Sequence, residues 1–253
     1  MSGPPLIIAH RGASAHAPEN TFAAFQEAID VGADGIEFDV RLSRDGVPVV
    51  FHDEDLKRIA GRAEKISDLT AAELAEIDIG SWFNRAFPHR SRSEFSNERI
   101  KTLAETLGFL SGFTGRIFAE LKCTLADAEE LSKSVCTLIC GSPLLPRIIV
   151  KSFTLTAIPY VRRFCPDART AALFEPTVRS VLRKQKNIIG LAEQVGADGL
   201  SMHYTLATAR LCRLARANGL PITIWTVDDT KWRERAVTRG IGAIITNDPR
   251  LWK

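Results

Sequence analysis

Two carboxylates stand one residue apart in Ile36-Glu37-Phe38-Asp39-Val40. In an extended chain, alternation puts Glu37 and Asp39 on one face and Phe38 on the other. Two acids side by side in an apolar strand repel and are costly to desolvate unless a cation lies between them. A solvated strand edge would also tolerate them, but the apolar flanks argue for a buried strand. The i, i+2 arrangement recurs at Glu120 and Lys122 in Ile117-Phe118-Ala119-Glu120-Leu121-Lys122, where a plain buried ion pair is the simpler alternative. Together Glu37, Asp39 and Glu120 offer three oxygen ligands and no sulfur. That set selects one divalent cation, Mg²⁺ or Ca²⁺, over zinc.

Two histidines sit at the ends of apolar runs, His10 after Ile8-Ala9 and His52 after Val50-Phe51. If Asp45-Gly46 makes a two-residue type I′ turn, the return strand of that hairpin sets His52 opposite Asp39. A register change of one residue would break that pairing. Singly, each histidine is readily explained as a satisfied structural group. Beside three acids, a pair of free imidazoles titrating near neutrality suits general acid–base catalysis. Arg11 and Lys122 can flank the cation as anion holders, one as a bidentate fork and one as a point charge. Acids, a cation, two histidines and two fixed positive charges fit phosphoryl chemistry best. Trp225, near another strand end, either lines the substrate site or simply packs.

The elements that must position these groups follow a strand–helix rhythm. Strands are expected at Leu6–Ala9, Gly35–Val40, Val47–Phe51, Arg116–Leu121, Arg147–Ser152, Thr170–Phe174, Gly199–Met202, Pro221–Val227 and Ala243–Thr246. Helical patterns lie at Asn20–Val31, with Asn20 as N-cap, and at Leu125–Ile139, Thr154–Phe164, Val178–Val195, Leu206–Ala217 and Thr230–Arg239. Val31-Gly-Ala-Asp-Gly35 recurs as Val195-Gly-Ala-Asp-Gly199 and, more loosely, as Arg239-Gly-Ile-Gly-Ala243. Each is a helix end, a glycine cap and a strand start. One junction used three times implies a barrel. The link from Val40 to Val47 is too short for a helical crossover, so Val47–Phe51 is an antiparallel hairpin partner and eight parallel strands remain. The expected fold is therefore a (β/α)₈ TIM barrel, one catalytic domain over residues 1–253. A small insertion, 54–99, follows the hairpin strand that ends at His52. Its Trp82, Phe83 and Phe87 either wall one side of the cleft or pack the insertion onto the barrel.

Composition narrows the class. At 253 residues, with 45% hydrophobic and 25% charged, the chain suits one large globular domain and excludes disorder and coiled coil. A net charge of +3 is too weak for nucleic-acid binding without a clustered patch. No apolar run suits a membrane span, and Met1–Ala9 lacks the pattern of a signal peptide, so a cytoplasmic location is expected. The five cysteines lack CxxC spacing, which argues against a disulfide framework or structural zinc. Cys136 and Cys140 share a helical face and are expected to be buried.

The ordered set of motifs resembles the glycerophosphodiester phosphodiesterase family over nearly the whole chain. It comprises His10-Arg-Gly12 with Pro18-Glu-Asn-Thr21, Glu37-Phe-Asp39, His52-Asp53 with Leu56, Arg58 and Gly61, and Leu69-Thr70 with Glu73-Leu74. Glu120-Leu-Lys122, Trp225-Thr-Val227 and Ile245-Thr-Asn-Asp-Pro249 complete it. The resemblance implies a barrel with a small insertion and hydrolysis of small-molecule glycerophosphodiesters to sn-glycerol 3-phosphate and an alcohol. It also implies Mg²⁺ or Ca²⁺ on Glu37, Asp39 and Glu120, with His10 and His52 as the acid–base pair. Lys101 before Thr102-Leu103 and Lys151 before Ser152-Phe153 depart from the family pattern, and neither is expected to touch the central set. Two other classes compete. A Schiff-base aldolase would use Lys122 as nucleophile and leave the acids and histidines idle. A non-catalytic phosphate-binding barrel would have no need of two intact histidines.

Overall fold

The computed structural model describes residues 3–176 and 185–253. Their nine strands are β1 (Leu6–His10), β2 (Gly35–Leu42), β3 (Pro48–Val50), β4 (Arg116–Leu121), β5 (Ile148–Ser152), β6 (Arg169–Phe174), β7 (Gly199–His203), β8 (Ile222–Trp225) and β9 (Ala243–Thr246). Eight pair in parallel in the order β1-β2-β4-β5-β6-β7-β8-β9, and β9 pairs with β1 to close the barrel. β3 lies antiparallel on β2. This is the expected (β/α)₈ barrel.

Helices α1 (Phe22–Asp30), α2 (Leu103–Phe109), α3 (Ala128–Ile139), α4 (Ala157–Phe164), α5 (Gln185–Gln194), α6 (Ala209–Ala217) and α7 (Trp232–Arg239) precede successive strands. The front of the expected helix Val178–Val195 falls outside the described residues. Among the described residues, no helix is long and apolar enough to cross a membrane. The main core lies between helices and sheet, where Phe25 of α1 meets Phe38 of β2 and Leu131 and Val135 of α3 are fully buried. The amphipathic spacing of those helices places these residues on one face.

The threefold repeat is a shared helix exit. Gly32, Gly196 and Gly240 all adopt positive φ, at 72°, 69° and 67°, a conformation glycine reaches without Cβ strain. In two copies the following aspartate caps the neighbouring strand. Asp34 accepts from the Ile7 amide at 2.8 Å, and Asp198 from the Thr170 amide at 2.8 Å.

The hairpin departs from expectation by one residue. Val40 faces Val50, and the Ser43 amide donates to the Val47 carbonyl, so three residues rather than two make the loop, with Gly46 at φ 75°. Phe51, not His52, is thus bonded to Asp39: its amide donates to the Asp39 carbonyl at 3.0 Å. His52 lies past the end of β3.

Residues 54–99 build a satellite core of Leu56, Ile59, Ile66, Leu74, Ile77 and Ile79 against Val49 and Phe51. Phe83 is fully buried with Phe95, Ala17 and Ala24, which fastens the segment to α1. Trp82 is half-buried and Phe87 stays 42% exposed, so the packing alternative describes Phe83 and not Phe87.

Candidate active site

Strand register assembles the site. His10 on β1 stands beside Glu37 on β2, while Asp39 on β2, Glu120 on β4 and Lys151 on β5 form one row across three strands. All lie toward the C-terminal ends of their strands, where a barrel of this type keeps its chemistry. One oxygen from each of Glu37, Asp39 and Glu120 lies within 4.8 Å of the others, and the three residues are 0%, 1% and 5% exposed.

Three cations hold these acids. Lys122 ion-pairs with Glu120 and, at 3.3 Å, with Asp39. Lys151 Nζ lies 2.9 Å from Glu37 Oε1 and 3.3 Å from Glu120 Oε2. Arg11 Nε lies 3.2 Å from Asp39 Oδ2, and the Arg11 amide donates to Glu37 Oε2 at 3.0 Å. Burial alone would raise the carboxyl pKa values of Glu37 and Asp39, but the neighbouring cations outweigh it. Lys151 holds Glu37 below its ordinary range, and Lys122 and Arg11 hold Asp39 well below. Conversely, burial would lower the two lysines, and the carboxylates raise both. Glu37, Asp39, Lys122 and Lys151 are therefore charged at neutral pH.

Lys151 is a correction to the sequence reading, which set it outside the central group. Its parity along β5 was the available signal. Ile149 and Phe153, two residues either side, pack respectively on the barrel's interior cluster and against the Trp225 ring.

The fit to a divalent cation can be judged from the donor set. Glu37 Oε1 and Glu120 Oε1 are buried and have no hydrogen-bond donor in acceptable geometry, although both lie close to an ammonium. Buried anionic oxygens short of donors, all from carboxylates, suit Mg²⁺ or Ca²⁺.

The first strand turns sharply at the site. Arg11 and Asn20 both adopt positive φ, at 57° and 58°, which is uncommon outside glycine. Gly12 is needed at φ 82°, because a Cβ there would come within 2.6 Å of the Ala24 backbone. Asn20 is not the N-cap of α1. Thr21 takes that role, accepting from the Ala24 amide, and Asn20 instead clamps Asp39, donating to its Oδ2 at 3.0 Å and accepting from its amide at 3.2 Å. Glu19 joins the sites' two flanks through Arg11 and Arg58.

The histidines are held differently. His10 Nδ1 lies 2.7 Å from Asn247 Oδ1. Asn247 Nδ2 donates to Asp228 Oδ2 at 2.8 Å, which fixes the amide so that its oxygen faces His10. Nδ1 must then carry the proton, leaving Nε2 as the acceptor, 4.0 Å from Glu37 Oε2. Burial lowers the His10 pKa, with Glu37 opposing it, so the ring is neutral at pH 7. His52 Nδ1 instead faces a carboxylate, Asp53 Oδ1, at 2.6 Å, and Arg58 holds the other oxygen of Asp53 at 2.6 Å. The His52 backbone, past the end of β3, is tied to β2 by Arg41, whose Nε donates to its carbonyl at 2.8 Å.

Two of the Arg11 guanidinium nitrogens are already engaged, on Glu19 and Asp39, whereas Lys122 remains 16% exposed at the mouth. Trp225 stands edge-to-face with Phe153 and His203, each at 5.5 Å, forming an aromatic wall. Beside Lys122 and Phe153 a cavity of about 440 Å³ opens, lined also by Arg41, Glu54 and Asp127. Asn20, Lys151, Asp53 and Asn247 are the functional candidates that sequence reasoning did not single out; three of the four stand in the recognised motifs, which was the signal available for them.

Comparison with known proteins places these features in context. The profile of the glycerophosphoryl diester phosphodiesterase family matches residues 10–251. A glycerophosphodiester phosphodiesterase of Caldanaerobacter subterraneus is 30% identical over 96% of this chain and 94% of its own. Among solved structures, an Oleispira antarctica phosphodiesterase in complex with the product sn-glycerol 3-phosphate superposes with a TM-score of 0.81. It is 26% identical, over 98% of this chain and 94% of that one. A Thermotoga maritima glycerophosphodiester phosphodiesterase gives 0.76 at 28% identity, over 100% and 98%.

Proposed function

Since the chain belongs to the glycerophosphoryl diester phosphodiesterase family and is a phosphoric diester hydrolase, we propose that it cleaves small glycerophosphodiesters to sn-glycerol 3-phosphate and an alcohol, using a divalent cation and two histidines. The catalytic unit is one barrel domain with residues 54–99 as its insertion. The observation that carries the reading is the buried triad Glu37, Asp39 and Glu120 beside two imidazoles, each held through Nδ1, one by an amide oxygen and one by a carboxylate.

Glu37, Asp39 and Glu120 would hold Mg²⁺ or Ca²⁺. Bound there, the cation supplies Lewis-acid stabilisation of charge on the phosphoryl oxygens. Lys122, partly exposed beside the triad, binds the phosphate as a point charge, and Arg11 braces Asp39 and Glu37 from the opposite side. His10 Nε2, a neutral acceptor fixed by Asn247, takes the proton of the attacking hydroxyl, which is water, giving glycerol 3-phosphate directly, or the glycerol 2-hydroxyl, giving a cyclic phosphate that water then opens. His52, whose Nδ1–H is held by the Asp53 carboxylate, suits the opposite duty. Its ring can carry a second proton on Nε2 and deliver it to the departing alcohol oxygen. Trp225 and Phe153 offer an apolar face to the glycerol carbons.

The test is a panel of glycerophosphodiesters assayed with chelator-treated protein, with Mg²⁺, Ca²⁺ and Mn²⁺ added back in turn. Release of glycerol 3-phosphate only after add-back supports the reading. Full turnover without a cation, or borohydride trapping of a Lys122 adduct, would overturn it.

A further inference from the structure

We infer that Lys151 is a tethered counter-ion that competes with the divalent cation for the carboxylates of Glu37 and Glu120. This rests on the cation site proposed above. Lys151 is 1% exposed and its ammonium bridges two of the three acids, at 2.9 Å and 3.3 Å. A divalent cation bound to those carboxylates needs oxygens at roughly 2.0–2.6 Å, and Lys151 already lies against one oxygen of each, Glu37 Oε1 and Glu120 Oε2. It would also sit within a few ångströms of a fixed positive charge, where repulsion is large in a poorly solvated interior.

Lys122 does not share this position. It reaches the acids from the mouth, is 16% exposed, and pairs with Asp39 and Glu120. Lys151 alone among the described residues makes an ammonium ion pair with Glu37. Its effect therefore changes sign with occupancy. Without the cation, Lys151 neutralises buried acids that would otherwise repel and holds them at their ligand positions. With the cation present it opposes binding, and its flexible four-carbon stem lets the ammonium withdraw. The consequence is a site that is preformed but binds its cation more weakly than three buried carboxylates would on their own.

The experiment titrates chelator-stripped wild type, Lys151→Gln, Lys151→Met and Glu37→Gln with MgCl₂ and CaCl₂ by calorimetry. Thermal unfolding of each protein is recorded without cation and with it. Both Lys151 variants should bind at least about tenfold more tightly than wild type, as loss of one nearby positive charge implies. Both should unfold at a lower temperature when stripped, and regain most of that loss when the cation is added. A variant folded only with cation present would show the same counter-ion role, and its affinity is then read by competition with a chelator. Equal or weaker binding in both Lys151 variants would overturn the inference while leaving the site intact, provided Glu37→Gln has lost binding. If Glu37→Gln binds like wild type, the cation site itself is elsewhere and both readings fall.

Discussion

The two ends of the barrel are made from the same strands and treat their polar groups in opposite ways. At the N-terminal end Asp34 and Asp198 close neighbouring strand starts, each taking a backbone amide at 2.8 Å, and Ile8, Phe118, Ala243 and Ile245 fill the interior above them. At the C-terminal end Glu37 and Glu120 keep oxygens short of donors, three cations crowd three acids, and Arg11 and Asn20 adopt backbone angles that cost energy. One end satisfies its groups with short local bonds; the other crowds buried charges of both signs into one cluster. The difference teaches which rule-breaking residues matter, because local inconsistency concentrates where function requires it.

Substitutions at the two ends should therefore fail in different ways. The largest effect is expected from Glu37→Gln, which should reduce turnover to background and weaken cation binding while the protein still folds cooperatively. Glycerol 3-phosphate release and thermal unfolding, measured on one preparation, check both halves. Wild-type activity after exhaustive chelation would place the chemistry elsewhere.

Next in size are the histidines. His10→Ala and His52→Ala should each lower kcat by about 10² to 10⁴, with KM much less changed. The double variant should lose far less than the product of the two, since both rings act in one reaction. Multiplicative losses would mean that the two serve separate purposes.

At the other end, Asp198→Ala should cost about 1–3 kcal/mol of stability, for the loss of a carboxylate bonded to both the amide and the hydroxyl of Thr170. Denaturant unfolding reads that loss, and kcat/KM at 25 °C should stay at the wild-type value. A fall in activity without a fall in stability would erase the distinction between the ends.

The smallest effect concerns substrate size. Phe83 is buried against α1, so this aromatic of the insertion is not free to meet an acyl chain. Glycerophosphocholine or glycerophosphoethanolamine should have the higher kcat/KM than monomeric lysophosphatidylcholine. The reverse order would recast the exposed Phe87 and its neighbours as an acyl-binding surface.

Much of this was legible from residue order. All nine strands lie within a few residues of where alternation and turn signals put them, and the repeated glycine exits mark three of the junctions. What was lost depends on single residues. Gly46 in a three-residue loop shifted the hairpin register by one, a choice that Asp-Gly alone does not determine. Asn20 has the composition of a helix cap, yet Thr21 beside it serves equally well and releases Asn20 to hold Asp39. Lys151 sits in an apolar strand, where parity marks its face but only the register to Glu120 shows its partner. Cys140, expected on a buried face with Cys136, is exposed because α3 ends at Ile139 and the next residue caps it. Asn247 and Asp53 stand in recognised motifs, but that they hold the two imidazoles is visible only in the folded chain.

The central claim is that the charged end of the barrel is a cation site formed by Glu37, Asp39 and Glu120. Anomalous diffraction from crystals of the wild-type protein soaked in Mn²⁺ tests it most directly. The account predicts a strong anomalous peak within bonding distance of oxygens from all three residues, with Lys151 Nζ displaced from Glu37. A peak elsewhere, or none at this position with Mn²⁺ in large excess, would contradict it.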